Sequence, residues 1–398
     1  MIDINKKFFF TLLFISTLIK IIFSYYFGDD LIEKEWGIIN YNLINFGEFS
    51  YYLINGERIP TIYMPPLYSY FLYLFSFLEL SEFVTVKIIL FIQCVISSIS
   101  IMIFFSLLKI YFSDRNAYLI SILYLFYPLN FYSPSQISSV SLQVFLLIFF
   151  TYLVVVSKSY KSFLTLGIIS GLLILIRGEF WLLFIILILL KIIQNKKNIF
   201  KILLCLTFVT IIITPKLISN YLKFDEIILT KSFGYNLWRG NSEEPNINGS
   251  NIDMTSNEII DIFKSSDYDL NNFEIFLDDY FYNIANKNIT NQPIIYIKHY
   301  FKKFIAFSVF NFNSTYPNYY NPAVFIPEII ISLFALFGIL VNVILKKNYE
   351  ILLIISYYLI LIPVFFVLPR YKLFILPLYF IFASQFYFYL RSIFSKKQ

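Results

Sequence analysis

The feature that most constrains this chain is its series of long apolar runs, near residues 8–27, 83–107, 117–133, 137–156, 162–176, 179–194, 200–215, 322–345, 350–368 and 373–391. A helix that crosses a bilayer needs about 20 apolar residues, within a range of about 17 to 25. The sequence is 59% hydrophobic and only 14% charged, too little polar surface for a chain of 398 residues with a water-facing exterior. These runs predict an all-α polytopic membrane protein of about ten transmembrane helices.

Charge orients the spans. Lys6-Lys7, Lys109 and Arg115, Lys158 and Lys161, Lys196-Lys197, Lys346-Lys347, and Arg391 with Lys396-Lys397 all fall on one face when the sides alternate, and that face is cytoplasmic by the positive-inside rule. The opposite face carries an acidic first loop, Arg177, Arg370 and a polar segment over 216–321. Three parts follow: an N-terminal transmembrane module (1–215) with its first outer loop at 28–82, an extracytoplasmic segment (216–321), and C-terminal helices (322–398). Met1 to Phe27 has a basic start and an apolar run without a small-residue cleavage site, so it reads as a retained first helix. The run 67–78 is too short to cross and suits an interfacial helix. Residues 293–312 set Lys298, His299, Lys302 and Lys303 opposite Ile294, Ile297, Phe301, Phe304 and Ile305, the pattern of an amphipathic surface helix.

Several functions are excluded. The net charge of +6 is spread between apolar runs rather than gathered in a patch, which argues against nucleic acid. His299 is the only histidine and both cysteines, Cys94 and Cys205, lie in apolar runs, so neither a His/Cys metal centre nor a disulfide framework is expected. Phosphate-binding Gly-Lys-Ser/Thr loops and dinucleotide fingerprints are lacking.

Three groups of residues can carry chemistry. Asp29, Asp30, Glu33 and Glu35 crowd the mouth of the first helix, ahead of the rigid Pro65-Pro66, and can offer a general base to an acceptor hydroxyl. The same acids leave room for an oxygen-ligated divalent cation, with Asp29, Asp30 and Glu35 as its ligands; no other cofactor is expected. Arg177 and Arg370 end or open spans on that face, where an arginine is costly unless it pairs, and its fork suits a phosphate. Finally, Gly234-Tyr235-Asn236-Leu237-Trp238-Arg239-Gly240-Asn241 supplies Tyr235, Asn236, Arg239 and Asn241, groups that bind sugars by stacking and hydrogen bonds. The bland readings are a solvated acidic loop, an Arg177–Glu179 pair and a glycine-rich turn.

The order Asp29-Asp30, Glu35-Trp36, Asn42-Leu43, Gly47-Glu48-Phe49-Ser50 and Met64-Pro65-Pro66-Leu67-Tyr68 resembles family-39-type glycosyltransferases of the GT-C superfamily. The resemblance continues through Gln93, Tyr127-Pro128, Gly171-Leu172 with Arg177, Pro215, Asn220-Tyr221, the 234–241 motif and Arg370-Tyr371. Tyr63-Met64 stands where some relatives carry a charged pair. The resemblance implies an extracytoplasmic active site, in a bacterial inner membrane, that moves a hexosyl or pentosyl group from a polyprenyl-phosphate donor to a glycan, lipid or protein, with inversion. It also implies a first-loop acid as the base; Glu35 is the first choice, because it adjoins Trp36 and the Asn42-Leu43 run, with Asp30 and Glu33 behind it. The competing classes are a flippase of lipid-linked sugars and a non-catalytic subunit of an envelope-glycan assembly. A flippase would favour interrupted helix pairs and midplane charges, which the sequence does not display.

Overall fold

The computed structural model describes residues 6–194, 196–316 and 319–395, so Lys396-Lys397 of the C-terminal basic group lie outside it. Helices dominate. Among the described residues four of them are long and apolar enough to cross a membrane: Lys7–Phe27, Glu82–Leu108, Ile199–Phe224 and Pro322–Ile344. A fifth span exists if Leu129–Ser135 and Val140–Val156, bent by 119°, are taken together. The apolar helices Tyr160–Ile176, Phe180–Gln194 and Tyr349–Leu361 are shorter than 18 residues.

The expected run at 117–133 is not one helix. Asp114–Leu125 stops just ahead of Tyr127-Pro128, where the proline ring and its missing N–H bar a continuous helix. Its neighbour at 350–368 ends likewise, in a short turn around Pro363 before Pro369–Leu373. One large apolar cluster binds the helices together, through Phe104, Leu147, Leu173, Leu183, Ile354 and Tyr379 among others. Phe14, Leu123, Ile193, Leu222 and Ile344 point outward, the surface that a bilayer would cover. One buried charge within the bundle is paired: the ammonium of Lys372 lies 3.1 Å from Glu328.

The first outer loop departs from the all-helical expectation. After the helix Lys34–Phe46 the chain forms an antiparallel ribbon, Ser50–Ile54 against Glu57–Pro60, with Leu53 opposite Arg58 and Ile54 opposite Glu57. Asn55 and Gly56 close it with φ of 51° and 85°, the left-handed pair that a two-residue hairpin requires. Tyr52, Ile54 and Ile59 of the ribbon pack with Phe263, Phe273 and Phe281 in a second apolar cluster. The loop is thereby fastened to the helix Phe273–Asn291 of the mid-chain segment.

Pro293–Ser308 is helical as expected, with one correction to its polar face. Ile294, Ile297, Phe301 and Ile305 face outward, while His299 and Lys303 are buried. Lys303 donates to the carbonyls of Gly240, Val364 and Phe365 and to Asn241 Oδ1, at 3.1, 3.3, 2.6 and 3.2 Å. Burial lowers its pKa to about 7. It is a strut rather than part of a solvated stripe.

Candidate active site

The first-loop acids, both arginines and the 234–241 motif meet at one cavity of about 1970 Å³. A single drug-sized ligand occupies roughly 300–1,000 Å³, so there is room for two substrates. Asp30, Glu33, Glu35, Arg177, Tyr235, Asn236, Arg239 and Arg370 all line it.

The acids differ in what holds them. Asp29 Oδ2 accepts the Ile137 N–H at 2.6 Å, and Asp29 N–H reaches the Ser135 carbonyl at 3.1 Å, so this residue staples the loop to the break in the bent helix pair. Burial raises the Asp29 pKa, and that hydrogen bond opposes the rise. Asp30 is exposed and pairs with Lys87 at 2.7 Å. Glu33 is exposed on the loop. Glu35 opens the first turn of Lys34–Phe46, half-buried beside Trp36, whose ring packs edge-on against Tyr68 at 4.9 Å. Among the described residues Glu35 has neither an ion-pair nor a side-chain hydrogen-bond partner. Three acidic or His/Cys side chains that could hold a metal do not come together among the described residues, so Asp29, Asp30 and Glu35 do not form the ligand set considered above. Asp29 and Asp30 are turned to their own partners.

The arginines also divide. Arg177 Nε donates to Gln143 Oε1 at 3.0 Å and the guanidinium stands 3.9 Å from Glu179. Arg239 Nε donates to the Ser250 carbonyl, and its Nη2 to Asn251 Oδ1 at 2.7 Å. Arg370 forms no ion pair among the described residues and opens into the cavity. Arg177 and Arg370 lie 5.5 and 5.9 Å from the same ring, that of Tyr371. Burial works against the Arg370 charge, but Tyr371, Tyr316 and Glu35 outweigh it and its pKa is raised. Arg370, which also bonds Tyr371, thus feels the Glu35 carboxylate.

Two buried acids that sequence reasoning missed hold other parts of the cavity lining in place. Glu274 and Asp278 sit one turn apart on Phe273–Asn291. Glu274 accepts from Thr61 Oγ1 at 2.7 Å and from the N–H groups of Ile62 and Tyr63 at 2.6 and 2.7 Å. Asp278 accepts the Tyr235 N–H at 3.0 Å. Burial pushes Glu274 up to about 7, against the pull of its three donors. One helix therefore fixes two cavity-lining segments far apart in sequence. The glycines of the 234–241 motif serve this packing: a Cβ at Gly234 would collide with the Asp278 carbonyl, and one at Gly240 with that of Phe365. Asn241 stands apart from the other expected residues. It is buried behind the wall, donating to Leu237 and Val364 carbonyls at 2.8 and 2.9 Å and receiving Lys303.

No protein-family model matches the chain, and no curated protein matches it. Solved structures do. The chain is similar to the Archaeoglobus fulgidus oligosaccharyltransferase tethered to an acceptor peptide with the NVT sequon, at TM-score 0.57 and 13% identity, covering 98% of this chain and 50% of that one. The same archaeal enzyme, AglB, in complex with an inhibitory peptide and a dolichol-phosphate gives TM-score 0.57, 13% identity and coverage of 98% and 51%. The chain spans about half the length of those structures. Across nearly its whole length the chain shares the fold of the matched part of that oligosaccharyltransferase.

Proposed function

We propose that this chain is an integral-membrane glycosyltransferase that transfers a sugar from a polyprenyl phosphate to a hydroxyl acceptor outside the cytoplasm. The observation that carries the reading is the presence, in one cavity, of a carboxylate without a partner among the described residues, Glu35, and of a guanidinium, Arg370, that bonds Tyr371 but pairs with no carboxylate among them. Similarity to an oligosaccharyltransferase fold supports it, and the first-loop motifs give it a family-39 character. About ten helices cross the membrane in this reading, the shorter ones in locally thinned bilayer or as broken spans. Both termini are cytoplasmic.

The chemistry balances with the residues at hand. Glu35 takes the proton of the acceptor hydroxyl as its oxygen bonds to the anomeric carbon. The bond from that carbon to the phosphate oxygen breaks on the opposite face, which inverts the configuration. Polyprenyl phosphate leaves with the electron pair, and Arg370 stabilises the growing charge, with Arg177 as helper. Its planar fork reaches two phosphate oxygens at once. Tyr235, Asn236 and Arg239 orient the sugars. The test is incubation of the purified protein with labelled polyprenyl-phosphate sugars. Release of free polyprenyl phosphate is expected; its absence with every donor would remove the transferase reading.

A further inference from the structure

The cavity that Glu35 lines also carries three tyrosines whose hydroxyls have no hydrogen-bond partner among the described residues: Tyr51, Tyr63 and Tyr235. Two of the rings are in direct contact, and the third packs on a neighbour. Tyr63 and Tyr235 meet edge-on at 5.8 Å, and Tyr235 stacks on Trp238 at 5.9 Å. Tyr51 leans on Tyr52 at 4.6 Å. Two of the three are fixed at their backbone N–H by the buried Glu274 and Asp278, so the spacing of this surface is set by one helix rather than by loop packing. Burial is the main cause that holds all three phenols above the usual tyrosine value, and the Glu35 charge adds to it at each. They are therefore neutral O–H groups, close enough to Glu35 to feel its charge.

We propose that Tyr51, Tyr63 and Tyr235 form the acceptor platform of this cavity and that the acceptor is a neutral carbohydrate. The proposal rests on the transferase reading and adds the acceptor class to it. Aromatic faces with a polar handle suit a sugar ring, which is apolar on its faces and hydroxylated at its rim. A phenol both donates and accepts, as a sugar hydroxyl does. The half-buried Asn236 amide, next to Tyr235 and also unpartnered among the described residues, extends the same chemistry. Arg177 and Arg239 donate to protein oxygens, and Arg370, without an ion pair among the described residues, is assigned to the donor.

The test is a fluorescence titration of the full chain in nanodiscs, without donor, following Trp36 and Trp238 beside the platform. The probes are neutral tetrasaccharides of glucose, galactose, mannose and N-acetylglucosamine, and a peptide with an Asn-Val-Thr sequence. Saturable quenching by at least one saccharide is expected. Tyr51→Phe, Tyr63→Phe and Tyr235→Phe keep the rings, and each should weaken that binding by about threefold to tenfold. Saturation by the peptide alone, by no saccharide, or with equal strength in all three Phe variants overturns the proposal. Because no donor is present, the two readings fail separately. Donor cleavage without saccharide binding removes the platform, whereas tyrosine-dependent saccharide binding without donor cleavage keeps the platform and removes the transferase.

Discussion

The Asp30 carboxylate lies 2.7 Å from the ammonium of Lys87, which also donates to the Tyr25 carbonyl at 3.0 Å. That pairing separates two carboxylates of the first loop that the sequence presents as near equals. A carboxylate held by an ammonium is a poorer proton acceptor than a free one beside it. Asp30→Asn is therefore expected to keep donor turnover within about tenfold of wild type and to act through the loop's attachment. Steady-state release of polyprenyl phosphate checks this, and a dead Asp30→Asn with an active Glu35→Gln would move the base to Asp30.

Arg370 should separate charge from geometry. Lysine keeps the charge but loses the bidentate fork, and alanine loses both. Turnover is expected to fall by about 10²- to 10³-fold in Arg370→Ala and by less in Arg370→Lys. Arg177→Ala, at a residue already bonded to Gln143 and Glu179, should cost less than Arg370→Ala. Wild-type turnover in Arg370→Ala would take this residue out of the site.

Glu274 links stability to pH. Its folded pKa of about 7 lies above the ordinary value of 4.5, so the folded protein holds a proton that the unfolded chain has released. The contribution is fully present below about pH 4.5 and is lost as pH rises through about 7, a change of order 3 kcal/mol. Glu274→Gln should flatten that part of the profile and leave stability at acidic pH little changed, since its amide oxygen can accept from both the Ile62 and Tyr63 N–H groups, which bond one oxygen of Glu274, while its NH2 faces the Thr61 hydroxyl. Thermal unfolding from pH 4.5 to 8 reads both effects; an unchanged slope in the variant would show that Glu274 does not titrate there.

Topology can be read chemically. Cys94 and Cys205 are buried, so a cysteine introduced at Asn251 or Asn348 would be the accessible thiol among the described residues. An impermeant thiol reagent added to intact cells should label position 251, which lines the cavity, and not position 348. The reverse pattern would invert the arrangement.

Much of the bundle is legible in the sequence because long apolar runs leave a chain few alternatives in lipid. Glu35, Arg177 and Arg370 are legible for a related reason: charge at membrane depth is costly and so stands out. The hairpin is different. Its signal, Asn55-Gly56 between alternating residues, is present, but it is short and lies among apolar runs that dominate the reading. Glu274 and Asp278 carry no local signal, since their partners are about 212 and 43 positions away and a Glu/Asp pair one turn apart also fits an exposed face. Asn241 misleads for the converse reason: it shares a motif with cavity residues, yet the helix Phe233–Gly240 ends there and turns its amide to the wall. Lys303 is likewise hidden by its company, because three other basic or His residues on its helix suggest a wet stripe.

The most direct test of the account is release of labelled polyprenyl phosphate from its glycosyl donor by wild type and by Glu35→Gln, which keeps the shape of the side chain and removes its charge. The account predicts release by wild type and a fall of about 10²- to 10⁴-fold in Glu35→Gln, expressed in turnover rather than in donor affinity. Equal turnover in the two proteins would contradict it.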